Sequence, residues 1–539
     1  MRKLLYIFFL WVNITSLYAE DGSRLWLPFK ENPSSAKIIV HAKGETVAIA
    51  YKELSKYWKG LPVILKISKD KISLNLGEEG YQIYSDRNTI TILSKGEIGL
   101  LYGAYDLLRL QETGTSTVNL NIKEIPSYKI RILDHWDNPD GTVERGFAGH
   151  SLWRWNELPD KLSPRYIEYA RANASIGINA CVLNNVNASP KVLEKENLLK
   201  VKALAEVFRP YGIKVYLSVN FASPLVIGGL KTADPLDKDV KKWWKVKAKE
   251  IYSLIPNFGG FLVKANSEGQ PGPGDYKRTH ADGANMLADA LKPYGGVIMW
   301  RAFVYKANDK DRAKQAYEEF LPLDGQFRDN VIIQIKNGPI DFQPREPFSP
   351  LFGALKKTQE MVEFQITQEY LGAANHLVFL APLFKECLES DTYRPSKGFT
   401  IARVTETALH GYSAMAGVAN IGDDRNWCGH HFAQANWYAF GRLAWNSQLT
   451  SEQIAKEWLK QTFTTDEGFV EPVCRMMLES REAAVHYMMP IGLHHIFAGN
   501  HHYGPEPWYF VKGLRADWQP FYYHKADSIG IGFERSSRG

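Results

Sequence analysis

The sequence predicts an α/β fold built on a central (β/α)₈ TIM barrel. An N-terminal α+β domain precedes the barrel, and a partial, mainly helical C-terminal domain follows it. Three observations lead there. From Tyr128 onward, short apolar runs alternate with amphipathic helical stretches about eight times, the rhythm of parallel βα units. Most of these runs turn abruptly polar at their ends. The chain, at 539 residues, is longer than one domain needs.

The elements follow in order. Met1-Arg2-Lys3, an apolar stretch over 4–12 and Ala19 before Glu20 have the form of a secretory signal peptide over 1–19, so export to the periplasm or medium is expected. That run is too short for a membrane span, and no other long apolar segment exists. Residues 20–127 read as α+β, with strands at 37–40, 81–84 and 89–93 and helices at 46–59 and 96–112. The barrel occupies 128–450. Its strands are expected at 129–134, 180–183, 214–218, 260–263, 296–300, 331–335, 361–366 and near 414–418. Helices are expected at 165–176, 192–208, 237–253, from His280, at 309–320 and, shorter, at 351–357. Residues 451–539 begin helical and then become rich in aromatic residues, His and Gly.

Net charge is +6 without a basic stripe, which argues against nucleic acid as a partner. Cys181, Cys387, Cys428 and Cys474 are far apart and form no C-x-x-C pair, so neither a zinc ribbon nor a disulfide scaffold is indicated. His430-His431, His494-His495 and His501-His502 are adjacent pairs whose rings diverge on either a helix or a strand, and no H-E-x-x-H is present. No metal and no cofactor is expected. A G-x-S-x-G elbow and a G-x-G-x-x-G loop are also lacking.

Chemistry gathers at the strand ends, where barrels place it. The first gives Asp134-His-Trp136-Asp-Asn138, the second Asn184-Asn-Val186-Asn. Later ends give Asn220, then Lys264 with Glu268, Arg301, Lys336 with Asp341, and Gln368-Glu369. Three carboxylates (Glu268, Asp341, Glu369) and three cations (Lys264, Arg301, Lys336) thus converge from distant segments. Paired acids suit glycoside hydrolysis, in which one protonated carboxyl serves the leaving oxygen and an ionised one handles water. The cations suit a substrate with its own carboxylate, such as a uronic acid. Ion pairing with the site's own acids is the plainer reading of those cations.

Lys264-Ala-Asn-Ser-Glu268-Gly-Gln-Pro-Gly-Pro, Arg278-Thr-His-Ala-Asp-Gly-Ala-Asn-Met-Leu-Ala288, Lys336-Asn-Gly-Pro-Ile-Asp341-Phe-Gln-Pro-Arg-Glu-Pro347, Gln368-Glu369-Tyr-Leu-Gly and Asp424-Arg-Asn-Trp427 resemble the α-glucuronidases of glycoside hydrolase family 67. Asp134-His-Trp136-Asp-Asn138 and the run from Ala435 to Asn446 match as well. The resemblance implies hydrolysis, with inversion, of the α-1,2 bond joining glucuronic acid or its 4-O-methyl ether to xylose in glucuronoxylan-derived oligosaccharides (aldouronic acids). It implies Glu268 as general acid and Asp341 with Glu369 as the water-activating pair, the division between them left open. Lys264, Arg301 and Lys336 match uronate contacts, Trp136 a sugar contact, Val186 the 4-O-methyl pocket and Trp518 a contact on the xylose side. Residues 530–535 match a stretch well inside the family's C-terminal domain, so a shortened domain is expected, with a weakened homodimer contact. The rival readings are a retaining, hexosaminidase-like barrel enzyme and a non-catalytic remnant. In the favoured reading Glu268 is protonated when substrate is bound, and the acid and base carboxyls stand roughly 6.5–9.5 Å apart.

Overall fold

The computed structural model describes residues 20–523 other than 35, 69–74, 146–147, 305–311, 420, 490–498, 500–501, 503 and 515–517. The expected signal peptide, His494, His495, His501 and residues 530–535 lie outside the described residues.

The first domain is a mixed sheet of β1 (Ile38–His41), β2 (Val63–Ile67), β3 (Tyr81–Ser85), β4 (Ile90–Ser94) and β5 (Asn121–Glu124), in the order β1-β2-β4-β3-β5. Helices α1 (Glu45–Tyr57) and α2 (Glu97–Glu112) accompany it, α2 burying Leu100, Leu101, Tyr105, Leu107 and Leu108 as its periodicity predicts. Strands β2 and β5 were not anticipated. The second is a polar edge strand whose residues alternate between exposed and half-buried, so it lacks an apolar signature.

Eight parallel strands close the barrel in chain order. They are β6 (Ile130–His135), β7 (Ala180–Val182), β8 (Lys214–Ser218), β9 (Gly260–Val263), β10 (Val297–Arg301), β11 (Val331–Lys336), β12 (Gln359–Gln365) and β13 (Ala414–Ala419). Each expected strand is present, the eighth included. Around them run α3 (Pro164–Ser175), α4 (Lys195–Phe208), α5 (Lys238–Leu254), α6 (His280–Leu291), α7 (Gln315–Phe320), α8 (Ala381–Glu389), α9 (Ile401–Glu406) and α10 (His431–Trp445). Thr279 and Asp282 form a capping box at the start of α6, fixing the helix directly after the Gly/Pro loop. His430 caps α10 through its ring Nδ1, which accepts the Ala433 amide. Then follow α11 (Ser451–Thr462) and α12 (Glu467–Met488). No helix among the described residues is long and apolar enough to cross a membrane.

Three helix expectations need correction. The stretch 192–208 breaks at Glu194, whose backbone is extended, into a short 3₁₀ turn and α4. Of 309–320, the helix covers Gln315–Phe320, and 309–311 lie outside the described residues. Residues 351–357 form turns instead of a helix. Gly353 has a positive φ there, and the buried Glu360 carboxylate accepts the Gly353 and Leu355 amides at 2.8 and 2.9 Å. A helix would need those donors for itself.

Strand alternation explains where the site sits. Ile132, Leu262, Met299, Ile332 and Met361 belong to an apolar cluster distinct from the main core. Their neighbours Leu133, Phe261, Val263, Ile298, Trp300, Ile333 and Val362 belong to the main core, the layer beneath the helices. Continuing the inward set by steps of two toward the carboxyl ends gives Asp134 and Trp136, Lys264, Arg301, Gln334 and Lys336, and Glu363 and Gln365. The barrel register pairs Arg301 with Gln334 and, two residues further along, Lys336 with Glu363, so the polar side chains succeed the apolar filling toward the carboxyl ends of the strands.

Candidate active site

Phe303, two residues beyond β10 and 8 % exposed, marks the centre of the cation group. Its ring centroid lies 5.4 Å from Lys264 Nζ, 4.4 Å from the Arg301 guanidinium and 4.9 Å from Lys336 Nζ. Three cations around one ring establish the convergence expected from three separate strands, and the ring's negative face offsets part of their repulsion.

Each candidate carboxylate holds a different cation. Glu268 Oε2 contacts Lys264 Nζ, which also donates to Asn187 Oδ1 at 2.9 Å. Lys264 is buried and Glu268 half-exposed. Burial opposes ionisation of Glu268, but Lys264 outweighs it and holds the carboxyl below its usual range. Asp341 accepts from Lys336 Nζ at 3.2 Å and from the Tyr370 hydroxyl at 2.5 Å. Burial would raise its pKa, yet Lys336, Tyr370 and Arg301 together bring it down to about 2. Glu369 behaves oppositely. Burial and the nearby Asp341 charge push it up to about 7, against the pull of Arg145 at 3.1 Å and a Gln365 amide at 3.1 Å. In the free site Glu369 therefore binds a proton more readily than Glu268, the reverse of what the acid assignment requires of the bound state.

A fourth ion pair lies deeper. Arg301 meets Glu363 at 3.0 and 2.9 Å, both fully buried. Beneath it burial and Glu363 push the Asp134 carboxyl well above the usual carboxylate range, while Gln334 donates to it at 2.7 Å.

The loops that carry these groups are strained. Asn266 and Glu268 have φ of 48° and 50°, and Gln368, just before Glu369, has 62°. Left-handed conformations at non-glycine residues cost energy and persist where the surroundings enforce them. Asn266 supplies part of that enforcement by accepting the Gly274 amide at 2.7 Å, and a Cβ on Gly272 would strike its side chain.

Trp136 and Val186 are buried in the apolar cluster that also contains Phe342 and Tyr370, whose hydroxyl donates to Asp341. Trp518 is outside that cluster and 42 % exposed. Sequence reasoning missed Arg145, Phe303, Glu363 and Tyr370 as site members. Tyr370 adjoins Glu369 and Glu363 is a charge within an apolar strand, signals that were readable; Arg145 lies in a long loop that offers none. His502 reaches the same place, its ring 4.4 Å from that of Tyr370. Among the described residues no group of three or more His, Cys, Asp or Glu is arranged to hold a metal.

Glu346, Glu360 and Glu369 share a consequence. Burial raises their carboxyls to about 8, 8 and 7. A raised carboxyl pKa means that the folded state binds more protons than the unfolded one above the ordinary value of about 4.3, so stability falls as pH climbs from there toward 8. His280 and His430, whose pKa values burial lowers, act the opposite way over the same range. The test is therefore a difference: between pH 5 and pH 8 Glu360→Gln should lose less melting temperature than wild type. An unchanged pH dependence in that variant would contradict the Glu360 shift.

Residues 110–427 match the glycosyl hydrolase family 67 middle domain and 428–539 its C-terminus. The chain belongs to glycoside hydrolase family 67. A family relative, alpha-glucuronidase A of Emericella nidulans, is 43 % identical over 482 residues, covering 85 % of this chain and 55 % of the relative. The alpha-glucuronidase of Hypocrea jecorina is 38 % identical over 589 residues, covering 99 % and 69 %. The chain thus spans little more than half the length of the Emericella protein. Among solved structures, a GH138 enzyme targeting pectin rhamnogalacturonan II superposes with a TM-score of 0.53 at 16 % identity, covering 85 % of this chain and 56 % of that one, a likeness of fold alone. The family 67 barrel, with its flanking sheet and helices, is the architecture the strand pattern implied.

Proposed function

We propose that this chain is an exported, inverting α-glucuronidase that releases glucuronic acid, or its 4-O-methyl ether, from the xylose of glucuronoxylan fragments. The observation that carries the reading is the cation triad around Phe303 set among three carboxylates. Each cation meets an acid of the site, and a uronate carboxylate entering among them would compete for all three. The relatives named alpha-glucuronidase support the same substrate class. Trp136 and Val186 would line the sugar pocket, and Trp518 would serve the xylose side.

Substrate would trade partners with the enzyme. Lys264 and Lys336, which neutralise Glu268 and Asp341 in the free site, turn to the uronate. Released from Lys264 and placed near a new negative charge, Glu268 gains pKa and takes up the proton it must deliver to the leaving xylose oxygen. Asp341, released from Lys336, becomes a stronger base toward water on the opposite face. Arg301 presents five N–H groups, and its two contacts with Glu363 leave an edge for the uronate. Tyr370 keeps Asp341 oriented throughout.

The test is to incubate the chain with aldouronic acids and follow the product by ¹H NMR. β-Glucuronic acid appearing first supports inversion; the α-anomer first refutes it, and no release at all removes the activity. Recovery of the protein outside the cytoplasm with residues 1–19 absent would support export.

A further inference from the structure

The geometry points to Glu346 as a positioning residue that sets the backbone, and through it the carboxylate, of Asp341. This inference rests on the proposed role of Asp341 as base. Glu346 lies five residues beyond Asp341, and its two oxygens accept the amides of that loop, Oε1 from Asp341 N at 2.9 Å and Oε2 from Ile340 N at 3.0 Å. On the other side Lys336 Nζ donates to the Ile340 carbonyl at 3.0 Å. One peptide unit, joining Ile340 to Asp341, is therefore gripped at its oxygen by Lys336 and at its nitrogen by Glu346. With that plane held, little freedom remains between it and the Asp341 carboxylate, which must meet Tyr370 and Lys336 at once.

The neighbouring glycine belongs to the same device. A Cβ on Gly338 would lie 2.1 Å from Glu346 Oε2 and 2.8 Å from the Asp341 carbonyl, so the clamp closes only over a residue without a side chain. Gly338 has no left-handed requirement to explain its presence; the space occupied by Glu346 does. The Glu346 carboxylate meets backbone amides of this loop; its effect on the reaction runs through the Ile340–Asp341 peptide, which Lys336 holds from the other side.

The experiment compares Glu346→Ala, Gly338→Ala and the double variant with wild type, using aldouronic acids as substrate and amide hydrogen exchange over 338–343 as a second readout. Displacing a reacting group by about 1 Å can cost on the order of 100-fold, so each single variant should lose roughly 10- to 100-fold in kcat. KM should change much less than kcat, because Lys264 and Arg301 are not touched and Lys336, though it also grips the Ile340 carbonyl, is itself retained. Exchange over 338–343 should accelerate in both singles. The double variant should be little worse than the poorer single, since both remove one clamp. Retained kcat despite faster exchange would overturn the positioning role, and unchanged exchange would overturn the clamp itself. Losses that multiply in the double variant, or that appear in KM as much as in kcat, would do the same. A wild-type chain that releases no glucuronic acid fails the proposed function, and the positioning role with it, while the exchange readout still decides whether the clamp exists.

Discussion

Asp341→Asn is expected to lower kcat on aldouronic acids by roughly 10²- to 10⁴-fold, the range that a general base contributes. The reason lies in how differently the two candidate bases are charged. Asp341, held at about 2, is ionised at any working pH. Glu369, raised to about 7, is largely protonated below neutrality and cannot take a proton from water there. Asparagine preserves the shape, and its amide can still meet Tyr370, so the loss would be chemical and not architectural. The companion variant makes the assignment sharp. Glu369→Gln at pH 5 mimics the protonated form already present and should cost far less than Asp341→Asn at that pH, the two differing by at least tenfold. Equal losses at pH 5 would sink the assignment of Asp341 as the sole base and restore the shared role.

The barrel was legible because each strand is a short apolar run that ends abruptly in polar residues, and burial on both faces writes that pattern directly into sequence. The site was legible for a related reason. Trp136, Lys264, Arg301 and Lys336 continue the inward alternation of strands whose apolar part fills the barrel, so locating the strand locates the side chain. The pairing of charges was another matter. Lys264 with Glu268 and Lys336 with Asp341 are local, separated by a single tight turn, and could be suspected. Arg145 with Glu369 and Arg301 with Glu363 join segments far apart in the chain, and no periodicity reports such contacts. Leu351, Phe352 and Leu355 carry helical spacing, yet Glu360 claims the amides that a helix would use. Tertiary hydrogen bonding overrode a genuine local signal there. The proton's location was the least legible feature, because it depends on a balance between burial and one ammonium that only three dimensions provide.

That balance leads to the second large effect. Glu268→Gln should reduce turnover of glucuronosyl-xylooligosaccharides by roughly 10²- to 10⁴-fold, while an aryl glucuronide, whose leaving group needs little protonation, should lose far less. Leaving-group dependence alone would not show when the acid acquires its proton. In the free site Lys264 holds Glu268 below the usual carboxylate range, so at pH 6 the group is ionised before substrate arrives. If uronate then draws Lys264 away, Glu268 must bind a proton from solvent as the complex forms. Calorimetric titration with glucuronic acid in buffers of different ionisation enthalpy counts that proton directly. Wild type should take up close to one proton per ligand bound near pH 6, and Glu268→Gln close to none. Lys264→Met separates the two parts of the argument, because it deprives the free site of its ammonium and leaves Glu268 already raised by burial. Its proton uptake should fall even though the carboxyl is intact, and its affinity for the uronate should weaken. Uptake that is absent in wild type, or undiminished in Lys264→Met, would mean that Lys264 does not govern the proton on Glu268.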